Sequence, residues 1–475
     1  MAGSRGRWLV TGIATGTSAG LLAWSTLAAA GAHGAPAAPP LPEPVPQITQ
    51  VMGPSGVPIP SPEYIEAINR LYLQPNMPGT TPAGLFTPEG LYPITGVKSL
   101  PLEPSVLQGV AILDDTVRSD IDAGTPVGVF GWSQSAIVAS RWMEQLDPAG
   151  TPSDIGLRFV LAGNEMNPNG GLLSRFEDLT LPSLGIPFYG ATPDNDFPTT
   201  MYTAEYDGFA DFPRYPLNIL SGLNAFLGIA LVHIHYSDFT EEQVTPVEDG
   251  GQAIRLATEG PTLTTYYMIP TAELPLVAPL RLLPVIGDPL ADLLQPILRP
   301  IVNLGYGDPD YGWSTAPANV HTSIGILPGL DEFAKLPGLL ASGTQQGIQA
   351  FADDLAHLSL PDPAALTGNL AAVDPSTALS APTDFATNAV NAITAATASA
   401  YSTLLPTADI VNALVTSLPL YNVDLFWANL DNPIDAIGLP ISADAGLLTM
   451  ALGVEALVIA GAAKDIADEL QNLFG

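Results

Sequence analysis

The segment Gly131-Trp132-Ser133-Gln134-Ser135 sets a serine between small residues. It follows the apolar run Val127-Gly128-Val129-Phe130 and opens a helical pattern carried by Ile137, Val138, Trp142 and Leu146. A sharp strand-to-helix turn of this kind lifts a serine Oγ above a sheet, and small residues two positions either side let strand and helix approach. The chemistry it suits is nucleophilic attack on an acyl carbon. Free N–H groups at the start of the helix from Gln134 would face the developing oxyanion. Ser135 stands where glycine is usual, a small-for-small departure.

A serine nucleophile needs a base and an orienting acid, and in this kind of site they follow in the order serine, acid, histidine. The chain has five histidines. His33 lies near the N-terminus, His357 in an acidic, Ala-rich stretch, and His321 past a change in composition. His233 and His235, in Ala230-Leu231-Val232-His233-Ile234-His235-Tyr236, lie downstream of the serine, and either could be the base. The acid should leave the C-terminal end of a strand. Met201 to Tyr206 is strand-like and delivers Asp207 into a loop, with Asp211 and Glu205 as alternatives. For a second oxyanion donor, Gly53-Pro54-Ser55-Gly56 follows the β-prone Ile48 to Met52.

The elements that must hold these residues alternate. Pro62 to Leu73 and Ser105 to Ile121 have helical spacing, and Leu157 to Ala162 is a further strand candidate. Strands alternating with helices predict an α/β fold with a mostly parallel sheet. Of 475 residues only 13% are charged, and 47 acidic against 14 basic residues give a net charge of −33. That balance excludes a nucleic-acid binder held through phosphates. The 47% hydrophobic content excludes wholesale disorder. With no cysteine, neither a thiolate nucleophile nor a disulfide exists.

Arg5 and Arg7 precede a charge-free run from Trp8 to Ala30, which reads as an export signal or an uncleaved anchor. Ala35 to Pro46 is a Pro-rich tether. From about Asp308 the chain turns Ala-, Pro- and Leu-rich, with Lys335 and Lys464 the only basic residues after Arg299. Asp384 to Leu404 reads as helix, and the apolar stretch Ala445 to Ala463, with Glu455 inside it, as a buried helix, with membrane association as the alternative.

Taken together, these segments resemble the PE-PPE C-terminal domain family, serine hydrolases related to cutinases. Gly53-Pro54-Ser55-Gly56-Val57-Pro58 is similar to the family's G-G-[ST]-G-x-P loop, and Gly131 to Ser135 to its G-x-S-Q-S elbow. Leu161-Ala162-Gly163-Asn164 and Asn167 to Leu172 resemble the strand and loop that follow, and Tyr206 to Pro213 the acid loop. Val232-His233-Ile234-His235-Tyr236 fits V-H-x-x-Y, a register that puts His233 ahead of His235. Tyr266 to Gly307, including Val302 to Gly307, is similar to the domain's end, and no PE or PPE module is recognisable at the N-terminus. Pro54 departs from the family's glycine and has no N–H, so Ser55 is expected as the second donor, by backbone or hydroxyl.

The resemblance implies an α/β-hydrolase-like (cutinase-like) domain over residues 47–307, after an export segment (1–34) and tether (35–46). A mainly helical C-terminal region (308–475) completes the chain. It implies Ser133, Asp207 and His233 as catalytic residues, with His235 and Asp211 as alternatives and Gln134 and Ser55 as the oxyanion hole. No metal or organic cofactor is called for. The implied activity is hydrolysis of short- to medium-chain fatty acyl esters by a secreted or cell-envelope protein, with membrane association through the N-terminal segment. Two alternatives stand beside it: an acyltransferase acting on a glycolipid hydroxyl, and a non-catalytic envelope protein on a hydrolase fold.

Overall fold

The computed structural model describes residues 45–357 and 382–472. The export segment, His33 and the tether up to Pro44 lie outside the described residues. Nine strands follow in chain order: β1 Ile48–Val51, β2 Thr81–Gly84, β3 Val127–Trp132, β4 Leu157–Ala162, β5 Thr180–Leu181, β6 Ile186–Pro187, β7 Thr199–Ala204, β8 Ile254–Arg255 and β9 Thr264–Ile269. Seven form one sheet in the order β2-β1-β3-β4-β7-β9-β8. Every pairing in it is parallel except β8 against β9, while β5 and β6 make a separate antiparallel pair.

Side-chain alternation along the strands divides the core into two layers. Val127, Val129, Phe159 and Leu161 face one side, beneath Leu102–Asp122 (α2) and Gln134–Leu146 (α3). Phe130, Trp132, Val160 and Tyr202 face the other. There they meet Leu71 and Tyr72, at the end of the helical segment that begins as Pro62–Ile68 (α1), and Val232 and Tyr236. A parallel sheet covered on both faces has apolar strands throughout, and β3 is buried at all six positions. The helix expected from Pro62 to Leu73 widens into a π turn over Asn69–Leu73. The strand expected to reach Tyr206 ends at Ala204, two residues before Tyr206 takes φ 67°.

Beyond Gly307 the described chain runs through an irregular stretch (308–329) and is then mainly helical: Leu330–His357, Pro382–Ser402, Leu404–Val415, Ser417–Ala428 and Pro433–Asn472. Composition changes at Asp308, yet Leu418, Tyr421, Ala443, Leu447 and Met450 pack into the same cluster as β3 and β4. The long last helix is buried on one stripe only. Ala443, Leu447 and Met450 face the core, whereas Leu448, Leu452 and Ile459 are exposed. Glu455, inside its apolar stretch, accepts a hydrogen bond from Thr407 Oγ1 at 2.6 Å. Val390–Ala428 and Pro433–Asp468 have the length and composition of membrane spans, a test that core helices also pass. Because Tyr421 belongs to the main core, Tyr421→Ala should cost roughly 3 kcal/mol. Chemical denaturation of the full chain should show it as a shift of one cooperative transition. A separate early transition that leaves the rest unmoved would contradict a shared core.

Candidate functional site

Four parallel strands end at one edge of the sheet, and each delivers a polar residue there: β1 towards Ser55, β3 to Ser133, β4 to Glu165 and β7 to Asp207. In open α/β sheets the carboxyl ends of the strands are where ligands bind. Ser133 turns the chain from β3 into α3 with φ 58° and ψ −129°. A non-glycine residue so placed stores about 1–3 kcal/mol of strain. Ser135 holds the turn closed: its hydroxyl accepts from Trp132 N–H at 2.9 Å and donates to Trp132 O at 3.0 Å. A glycine could do neither. Gly131 must be small, since a Cβ there would lie 2.5 Å from Ser135 O.

Ser133 Oγ lies 2.7 Å from His233 Nε2, and His233 Nδ1 lies 2.8 Å from Asp207 Oδ2. With Nδ1–H donating to the carboxylate, Nε2 is left as the acceptor facing the serine. His233 follows Ile219–Leu231 (α4) in a short 3-10 turn, and Trp132 Nε1–H anchors that turn by donating to His233 O at 3.2 Å. Phe209 packs edge-on against the imidazole at 4.9 Å. Asp207 is fully buried. It also accepts from Tyr236 OH at 2.8 Å and from the N–H groups of Phe209 and Ala210 at 2.9 and 3.2 Å. Tyr236 in turn accepts from Ala204 N–H at 2.7 Å, so the phenol ties the acid to the end of β7. Burial by itself would lower the basicity of His233. The charge and hydrogen bond of Asp207, joined by Glu165, outweigh it, and the net shift is upward.

The alternatives lie elsewhere. His235 is exposed and pairs with Asp238 at 2.8 Å. Asp211 is buried, but its carboxylate accepts from Tyr206 N–H at 3.0 Å, bracing the acid loop from behind. Glu205 accepts from the N–H groups of Thr271 and Gly312 at 2.8 and 3.1 Å. His321 meets Ser174 O at 2.8 Å and His357 meets Asp353 O at 2.7 Å. Of the expected oxyanion donors, Gln134 is the first residue of α3, where backbone N–H groups have no intrahelical acceptor. The Ser55 hydroxyl donates to Gln134 Oε1 at 2.9 Å, which leaves the Ser55 N–H as its free donor. Gln134 Nε2 donates to Ser105 Oγ at 2.6 Å, so its side chain ties the Ser55 loop to α2.

Two acids escape the sequence reading. Glu165 Oε1 is 3.1 Å from Ser133 Oγ, and its other oxygen is buried without a partner. Burial pushes its carboxyl up to about 7, Asp207 adding to the rise and His233 opposing it. Glu89 is buried with both carboxyl oxygens unpartnered. Burial lifts it to about 8, and the nearby Glu165 adds to the rise. A serine hydroxyl has one proton. The Ser133 hydroxyl donates to Glu165 Oε1 at 3.1 Å, with His233 Nε2 on its other side at 2.7 Å. When Glu165 is ionised it competes with His233 for that proton. The position of Glu165 just past β4 was the available signal; Glu89, in Pro88-Glu89-Gly90, looks like any turn acid.

The PE-PPE domain model matches residues 78–307. The chain is 46% identical over 443 residues to the uncharacterized PPE family protein PPE28 of Mycobacterium tuberculosis, covering 89% of this chain and 67% of that one. The chain belongs to the PE-PPE domain family. Within the same organism it is 44% identical over 272 residues to Esterase PE16, covering 56% of this chain and 50% of that one. It is 30% identical over 248 residues to Diacyltrehalose acyltransferase Chp2, covering 50% of this chain and 66% of that one. The chain thus spans between half and two thirds of the length of these relatives. Ser133, Glu165, Asp207 and His233 fall inside the matched PE-PPE domain; the Ser55 loop precedes it and the C-terminal helices follow it.

The buried acids set a direction for stability against pH. Glu89 and Glu165 keep their protons in the folded state up to about 8 and about 7, well above the ordinary glutamate value. Asp211 and Asp196 are raised as well, and so is His233. Between about pH 4.5 and 8 the folded state therefore binds more protons than the unfolded one, and stability falls as pH rises. The Tm should be higher at pH 5.5 than at pH 8.5, and Glu89→Gln should narrow the gap by raising the pH 8.5 value. A Tm that climbs with pH over this window would contradict the burial of neutral acids.

Proposed function

We propose that this protein is a serine enzyme that hydrolyses fatty acyl esters of short to medium chain. Ser133 Oγ attacks the ester carbonyl carbon while its proton passes to His233 Nε2, and Asp207 holds and stabilises the imidazolium. The tetrahedral oxyanion is held by the N–H groups of Gln134 and Ser55. Collapse of that intermediate breaks the C–O bond, and His233 gives its proton to the departing alcohol. The acyl-enzyme on Ser133 is then attacked by water, deprotonated by His233, which releases the fatty acid and restores the serine. The observation that carries this reading is the unbroken path from Ser133 Oγ to His233 at 2.7 Å and from His233 to the buried Asp207 at 2.8 Å.

A second reading shares every step but the last. The likeness to a diacyltrehalose acyltransferase favours a sugar or glycolipid hydroxyl as the acceptor in place of water. The same His233 would deprotonate that hydroxyl. The charge-free run behind Arg5 and Arg7 supports a secreted or envelope location, where such acceptors are met. A net charge of −33 disfavours anionic head groups in either case.

The full chain, incubated with p-nitrophenyl butyrate, should release nitrophenol, and Ser133→Ala should reduce turnover by about 10³-fold or more. His233→Ala should cause a loss of similar size, whereas His235→Ala should stay within about twofold of wild type. Absence of turnover together with absence of fluorophosphonate labelling at Ser133 would reject the enzyme reading. Transfer to added trehalose that outpaces hydrolysis would select the acyltransferase.

A further inference from the structure

A cavity opens beside the nucleophile and runs away from the sheet. Its inner end is formed by Ser55, Glu165 and Phe209. Each of these touches the site already described: Ser55 through Gln134, Glu165 at 3.1 Å from Ser133 Oγ, and Phe209 against the His233 ring. Beyond that end the lining is almost wholly aliphatic and aromatic. The near wall comes from the α/β domain, with Leu172, Leu181, Ile186 and Phe188. The far wall comes from helices after Gly307. Leu404–Val415 contributes Ile410, Ala413 and Leu414, and Pro433–Asn472 contributes Met450, Ala451 and Val454. The cavity holds about 1070 Å³ of empty space, part of it open to solvent.

The far wall is fastened in place. Tyr92 OH donates to Asp409 Oδ2 at 2.6 Å, and Ser183 Oγ donates to Asp409 O at 2.9 Å. These bonds pin the helix Leu404–Val415 to the loop at Tyr92 and to the turn between β5 and β6. Next to that pin Tyr92, Leu184, Ile410 and Ala413 form a buried apolar cluster of their own. A polar mouth at the reacting serine, followed by a long apolar bore, suits a ligand with an ester head and a hydrocarbon tail. Apart from Glu165 at the serine end, the cavity lining carries no carboxylic, imidazole or basic side chain.

We propose that this cavity binds the acyl chain of the substrate, and that the C-terminal helices Leu404–Val415 and Pro433–Asn472 form its far wall and so set the chain length accepted. The inference rests on the serine-esterase reading for its chemistry but adds a residue set outside the matched domain. Acyl carbons nearest the carbonyl would lie among Phe209 and Leu172. Later methylenes would reach Ile410, Ala413 and Val454, each methylene buried there adding roughly fourfold in binding. Helices from the region after Gly307 then act as a wall of the substrate site.

The test is a chain-length profile of the full-length protein on p-nitrophenyl esters from acetate to laurate. Ala413→Trp and Ala451→Trp place bulk in the far wall away from the serine. Each should leave kcat/KM on acetate and butyrate within about twofold of wild type and reduce it on decanoate and laurate by about tenfold or more. Val454→Ala, which opens the bore and carries little risk to folding, should shift the preference towards longer esters. Equal losses at all chain lengths, or unchanged profiles in all three variants, would overturn the proposal. Calorimetric binding of dodecanoic acid to Ser133→Ala gives a readout independent of turnover. Binding that Ala413→Trp weakens about tenfold supports the wall, and absence of binding refutes it. Loss of short-ester turnover and of fluorophosphonate labelling in wild type would instead count against the esterase reading itself.

Discussion

Asp207 carries a carboxylate into a place with no solvent, and an unpaired buried charge is among the costliest things a fold can hold. Here it is met by the His233 imidazole, the Tyr236 phenol and two backbone N–H groups. Each donor comes from a different constraint. The N–H groups exist because the chain turns tightly after β7. The phenol is aimed because Tyr236 also receives Ala204 N–H. The imidazole is aimed because Trp132 grips the backbone of its turn. Removing any one of them leaves the carboxylate short of a partner, so the acid, the histidine and the end of the sheet form one assembly. Ser133, strained at its turn and fixed by Ser135, completes it from the end of β3, two strands away across β4.

Around Asp207 burial raises a second set of acids. Glu165 and Glu89 are buried, and burial lifts them to about 7 and about 8 although His233 stands beside Glu165. Asp207 is supplied with donors and Glu165 is largely deprived of them. In the proposed mechanism this burial sets how Glu165 and His233, both within reach of Ser133 Oγ, share the serine proton. It also gives the site a dependence on pH that no Ser-His-Asp geometry would show by itself.

Much of the fold was legible in local pattern. The apolar runs of β3 and β4 and the helical spacing after Gln134 are short-range signals, and the elements formed where those signals lay. The elbow was legible because it needs small residues at fixed offsets, and Ser135 proves to supply hydrogen bonds as well as small size. Separating His233 from His235 required the family register, since periodicity treats both alike; only the fold turns one inward and leaves the other paired with Asp238. The helix Ile219–Leu231 and the strand Thr264–Ile269 had no local marker strong enough to announce them. Glu165 and Glu89 were opaque for a physical reason: burial of an acid is decided by which distant elements close over it. The helices after Gly307 were set apart by composition, yet composition says nothing of where an apolar face will be used.

The central claim is that Ser133 forms a covalent acyl intermediate through the proton relay to His233. Acid quench of the full chain during turnover of a p-nitrophenyl ester, followed by peptide mass analysis, tests it directly. An acyl mass on the peptide containing Ser133, absent in Ser133→Ala and much slower to appear in His233→Ala, is the expected result. Sustained hydrolysis with no adduct on that peptide, or an adduct on another residue, would contradict it.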